Sequence, residues 1–99
     1  AELEEAISKD YHVRFYDLDM NGHVNNSKYL DWVFEVMGAD FLTNHIPKKI
    51  NLKYVKEVRP GGMITSSYEL NGLESNHQVT SDGDINAQAK ITWQKINKD

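Results

Sequence analysis

Ser27-Lys28-Tyr29-Leu30-Asp31-Trp32-Val33-Phe34-Glu35-Val36-Met37-Gly38-Ala39-Asp40-Phe41-Leu42 is the stretch on which the fold turns. Its apolar and aromatic residues, Tyr29, Leu30, Trp32, Val33, Phe34, Val36, Met37, Phe41 and Leu42, cover far more than the single stripe of a surface helix. The spacing predicts one continuous, largely buried helix over 27–42. Asn26 or Ser27 can cap its start, Asp31 suits the positive end of the helix dipole, and Asn44 and His45 form the exit before Pro47.

What surrounds this helix reads as β structure. Upstream, Tyr11 to Tyr16 alternates Tyr11, Val13 and Phe15 with His12, Arg14 and Tyr16, the period of two of a strand. Residues 1–9 hold few apolar positions and are expected to be a lead-in or linker, with folding beginning near Asp10. Downstream, Lys48 to Arg59 sets Ile50, Leu52 and Tyr54 against Asn51, Lys53 and Val55. A turn at Pro60-Gly61-Gly62 leads to Met63–Leu70, and Asn71-Gly72 is a strong hairpin signal. Glu74–Thr80 and Ile85–Ile96 follow, joined across Ser81-Asp82-Gly83-Asp84. The expected class is α+β: an antiparallel sheet of about five strands curled round one long helix, the economical way to bury that helix in a short chain.

Composition excludes several functions. With 11 Lys plus Arg against 15 Asp plus Glu the net charge is −4, the wrong sign for neutralising a phosphate backbone, so a nucleic-acid binder is not expected. There is no cysteine, hence no disulfide framework and no thiol nucleophile. No apolar run approaches the roughly 20 residues that cross a bilayer, and no secretory signal pattern is present, so the expected location is cytoplasmic.

The chemistry concentrates in Asp17-Leu18-Asp19-Met20-Asn21-Gly22-His23-Val24-Asn25-Asn26. Two carboxylates, an imidazole and three carboxamides crowd just ahead of a helix start, where anionic or oxyanionic groups are readily held. His23 is the residue whose ordinary pKa lets it take and return a proton near neutrality. The plainer alternative is that the Asx residues only cap and turn the chain. Asp17-x-Asp19-x-Asn21-Gly22 also matches the first half of a calcium loop, but the position that should supply a bidentate Glu is Lys28 and a strand precedes the loop. Asn25-Asn26-Ser27 is a formal glycosylation sequon without a secretory context. His12, His45 and His77 stand apart and read as structural or solvated. No metal or cofactor is expected.

The run Phe15-Tyr16-Asp17-Leu18-Asp19-Met20-Asn21-Gly22-His23-Val24-Asn25-Asn26-Ser27-Lys28-Tyr29-Leu30-Asp31-Trp32-Val33-Phe34-Glu35 closely resembles the signature of the acyl-acyl carrier protein thioesterases of plants and bacteria, which have the hotdog fold. The similarity continues through Tyr54-Val55-Lys56-Glu57, Asp84-Ile85-Asn86-Ala87 and Thr92-Trp93. It implies a hydrolase that releases a fatty acid from its pantetheine thioester. The family's catalytic Asp, Asn and His fall on Asp19, Asn21 and His23. A family Glu falls on Glu57, but the Cys that follows it in plant members is Val58 here, which favours water as the nucleophile. Asp17 matches the catalytic carboxylate of a related hotdog type and is a reserve candidate.

Complete members of that family carry two hotdog units, so the resemblance implies that residues 10–97 are the C-terminal unit and 1–9 the connection. A lone hotdog leaves a sheet edge open, which leads us to expect a homodimer. The implied partner is an acidic acyl carrier protein bearing a phosphopantetheine-linked chain. Lys48, Lys49, Lys53, Lys56 and Arg59 form a local basic cluster that could meet it, or an ordinary solvated strand face. A hotdog acyl-CoA thioesterase and a non-catalytic acyl-binding or dimerisation module are the alternatives.

Overall fold

Gly38 divides the apolar segment into two helices. The computed structural model describes residues 6–14, 17–58 and 61–96, and in it α1 spans Asn26–Glu35 and α2 spans Ala39–Asn44. Between them Gly38 sits at φ 85°, ψ 157°, a region open essentially to glycine alone. The amides of Met37 and Gly38 donate to the carbonyls of Phe34 and Glu35 at 3.0 and 3.1 Å, a tightened last turn that ends α1. The single long helix expected over 27–42 is therefore corrected to a helix, a glycine break and a short second helix. Side-chain hydrophobicity continues through the break, so the apolar pattern alone does not mark it.

Five strands form one antiparallel sheet in the order β1-β3-β4-β5-β2, with β1 at Ile7–His12, β2 at His45–Tyr54, β3 at Met63–Asn71, β4 at Glu74–Ser81 and β5 at Asp84–Lys95. Two strands, β1 and β2, differ from expectation at both ends. β1 starts at Ile7, inside the expected lead-in, because Ile7 to Lys9 pair with Tyr68 to Ser66 of β3; this edge strand is held by backbone pairing and its side chains are mostly exposed. It ends at His12, while Phe15 and Tyr16 of the expected strand lie outside the described residues. β2 starts at His45, ahead of Pro47, because it is the other edge of the sheet, where a residue without an N–H is tolerated. It stops at Tyr54. The expected continuation to Arg59 is irregular through Val58, and Arg59 is outside the described residues.

One face of the sheet is covered by α1. Tyr29, Trp32, Val33, Val36 and Met37 join Ile64, Val79, Ala87, Ala89, Ile91 and Trp93 in a single core. The Ser66 hydroxyl donates to the Trp32 carbonyl at 2.8 Å, which pins the helix to β3. His77 is also buried on this face. Trp93 Nε1 donates to Ser75 Oγ at 2.8 Å, which leaves the Ser75 hydroxyl proton for His77 Nε2 at 2.7 Å. His77 Nδ1 has no partner, and burial pushes the imidazole down to about 4. No helix among the described residues is long and apolar enough to cross a membrane.

Candidate active site

The loop before α1 is folded by its own Asx side chains. Leu18 and Val24 form an isolated antiparallel bridge, and Gly22, at φ +77°, lets the chain reverse between them. The Asp19 amide donates to the His23 carbonyl at 2.7 Å. In return Asp19 Oδ1 accepts the amides of Asn21 at 2.9 Å and His23 at 3.0 Å. Asp19 thus holds the backbone of His23 rather than its ring. Asn25 caps α1, its Oδ1 accepting from the Ser27 amide at 3.1 Å and hydroxyl at 2.9 Å, so the cap lies one residue before the expected Asn26 or Ser27. Asp31 lies beyond the first turn and pairs with Lys28 at 3.9 Å.

Asp17 does different work. It is 3% exposed, and its Oδ2 accepts the Arg14 amide at 2.7 Å while Arg14 Nη2 and Lys28 Nζ lie 3.7 and 3.5 Å from Oδ1. Its carbonyl accepts the Asn25 amide at 2.8 Å. A carboxylate so occupied joins the end of β1, the loop and the first turn of α1, and is closed to solvent.

A cleft of about 490 Å³ opens between this loop and the segment that leaves β2, lined by Asp19, His23, Val24, Asn25, Asn26, Tyr54, Val55, Lys56 and Glu57. His23 Nδ1 stands 3.1 Å from Glu57 Oε1. With Nδ1–H donating to the carboxylate, Nε2 keeps its lone pair and is free to accept a proton. The side chains are 63% and 56% exposed, so the contact orients the ring and contributes little to stability. Asn21, at the exposed loop tip, is not among the residues that line the cleft. Of the four residues singled out from the sequence, Asp19, His23 and Glu57 come together at the cleft.

The walls include Tyr54, which the resemblance covers without giving it a role. Tyr54 Oη donates to the Asn26 carbonyl at 3.3 Å and its ring meets Tyr29 edge-on, tying the end of β2 to the start of α1. Tyr29 Oη accepts the Val58 amide at 3.2 Å, and burial pushes this phenol above its ordinary value. Aromatic residues at these positions read equally well as core, so their sequence carried no signal of the cleft.

The family model described as the acyl-ACP thioesterase C-terminal domain matches residues 1–95. The chain belongs to this family. Among its relatives is the chloroplastic dodecanoyl-[acyl-carrier-protein] hydrolase of Umbellularia californica, 33% identical over 70% of this chain and 18% of that protein. A crystal structure of a candidate oleoyl thioesterase from Lactobacillus plantarum superposes with a TM-score of 0.89 at 29% identity, covering 99% of this chain and 41% of that one. The 12:0-ACP thioesterase of Umbellularia californica superposes with a TM-score of 0.83 at 26% identity, covering 97% and 39%. The sheet and its covering helix are thus the family's hotdog. The chain spans about a fifth of the length of the curated relative and about two fifths of the solved ones.

Proposed function

We propose that this chain is the catalytic, C-terminal hotdog of a two-hotdog acyl-[acyl-carrier-protein] thioesterase, releasing a free fatty acid in fatty acid biosynthesis. The observation that carries the reading is the His23–Glu57 contact, made by two motif residues on facing walls of one cleft. In this reading Glu57 holds Nδ1–H, and His23 Nε2 takes a proton from water as its oxygen attacks the thioester carbonyl. The Asn26 N–H, at the first helical position and without an intrahelical acceptor, faces the developing oxyanion; such a donor contributes roughly 3 kcal/mol in comparable sites. Collapse breaks the C–S bond, the thiolate takes the proton back from His23, and the fatty acid leaves. Asp19 keeps His23 in place through its amide. Asn21, on the exposed loop tip, has contact with the substrate or water as its role by its motif position.

The same reading covers partners. β2 is an unpaired edge with Ile46, Ile50 and Tyr54 exposed, which suits pairing with a second hotdog, either the other half of a longer enzyme or a second copy in a homodimer. Lys49 and Lys53 lie on the sheet face away from α1, opposite Thr92 and Gln88, and with Lys48 offer positive charge to an acidic carrier. Lys56 is paired with Asp84 at 2.7 Å. The compartment is the cytoplasm or a plastid, wherever carrier protein is acylated.

The test is a fatty acid release assay on the full-length protein with carrier-linked and CoA-linked esters of graded chain length. Release from the carrier ester with the higher kcat/KM supports the reading. Preference for the CoA ester would replace it with an acyl-CoA thioesterase, and binding without turnover with an acyl-binding module.

A further inference from the structure

Asn86 is the extra residue of a β-bulge in β5. Ile85 pairs with Thr80 and Ala87 with Val79, which leaves Asn86 without a counterpart on β4. Its side chain is turned inward and is 2% exposed. There the Ser81 hydroxyl donates to Asn86 Oδ1 at 2.7 Å, which fixes the other end of the amide as the donor. That Nδ2 donates to the carbonyls of Lys56 at 3.1 Å and Glu57 at 3.4 Å. The main-chain carbonyl of Asn86 in turn accepts the amides of Val55 at 2.8 Å and Lys56 at 3.1 Å.

A buried carboxamide therefore gives its donors to the backbone of Glu57, which faces His23, and of Lys56 immediately before it. The 55–58 segment has left β2, and the two of its carbonyls that Asn86 Nδ2 reaches are those of Lys56 and Glu57. On the far side Val58 N–H is held by Tyr29 Oη. Glu57 keeps an exposed side chain on a backbone clamped from both directions. We infer that Asn86 is a positioning residue for the active site, setting through Glu57 the orientation of the His23 ring. This rests on the reading of Glu57 as the working partner of His23.

The test is a double-mutant cycle between Asn86→Ala and Glu57→Gln in the full-length enzyme, with kcat and KM followed on a carrier-linked ester. The expected result is a loss in kcat of about 100-fold for Asn86→Ala with KM nearly unchanged, the size that accompanies misplacement of a catalytic group by about 1 Å. In the Glu57→Gln background the same change should cost less than about threefold, because coupled neighbours do not add. An equal loss in both backgrounds, or none in the first, overturns the inference. If Asn86→Ala does not fold, Ser81→Ala, which frees the amide to rotate, is run through the same cycle under the same criteria. If Glu57→Gln retains wild-type activity, the reading of Glu57 fails by itself. Positioning is then decided by the crystal structure of Asn86→Ala or Ser81→Ala: Glu57 displaced from His23 supports it, and an unchanged 3.1 Å contact overturns it.

Discussion

His23 Nδ1 lies 3.1 Å from Glu57 Oε1, across a cleft whose two walls are 34 residues apart in the chain. The carboxylate that faces the imidazole is thus Glu57, while Asp19, closer in sequence, is committed to the His23 amide. Glu57→Gln keeps the size of the side chain and removes its charge. In the full-length enzyme it should lower kcat by about 10²–10⁴-fold, as should His23→Ala, and the double variant should lose little more than either. Steady-state kinetics of the three variants decides this, and two additive losses would show that the residues act separately.

Asp17→Asn separates architecture from chemistry. The buried carboxylate accepts one backbone amide and faces two cations, so weakening it should cost about 1–3 kcal/mol of stability. In urea melts the midpoint should fall, while kcat of the folded fraction stays within a few fold of wild type. A collapse of kcat in a fully folded variant would return Asp17 to the catalytic candidates.

Gly38→Ala probes the helix break. A Cβ there would meet nothing within 4 Å, so the cost comes from the backbone conformation and not from a clash. About 1–3 kcal/mol is expected, measured by chemical denaturation. An unchanged midpoint would mean that the segment relaxes toward a continuous helix.

Asn25→Ala removes the cap that holds the Ser27 amide and hydroxyl, and should destabilise by about 1 kcal/mol. Because the first turn of α1 forms part of the cleft, activity should fall as well, whereas Asn25→Ser should restore most of both. Thermal melts and release rates of the pair provide the comparison.

His77 predicts an acid-side loss of stability. Burial lowers the folded-state pKa to about 4 from the ordinary 6.5, so the unfolded chain takes up a proton that the native one refuses between those values. The neutral ring's contribution is complete above about pH 6.5 and is lost as pH falls toward 4, by up to about 3 kcal/mol. Tm measured from pH 7 to pH 4 should fall more steeply for wild type than for His77→Gln. Equal slopes would assign the acid lability to other groups.

Much of the fold was legible because its signals are local. Alternation in residues 63–70 and 74–80, the Asn71-Gly72 turn and the dense apolar face of α1 each belong to a few neighbouring residues, and the strands formed where that pattern placed them. β1 was misplaced because an edge strand is specified by its partner's backbone, with little burial to impose a pattern on its side chains. The helix break was missed because it depends on one glycine's φ.

The site divides in the same way. Asp19, Asn21 and His23 sit within one loop, where their residue types suit proton chemistry as well as capping and turning, and the resemblance of the whole 15–35 run is what implied the family and their roles. Glu57 was reached only through that family's pattern, and its approach to His23 follows from β2 ending at Tyr54 while Tyr54 and Tyr29 hold its exit against α1. Asn86 belongs to the resembling segment, but its inward position was not legible, since in regular alternation with Ile85 and Ala87 it should face solvent; the bulge turns it inward. Sequence by itself determined which chemical groups are present and the local geometry of the loop, because those rest on neighbours a few bonds apart. Only the tertiary structure decided which carboxylate meets the imidazole, because that contact requires the sheet to bring distant backbone segments together and a buried amide to hold them there.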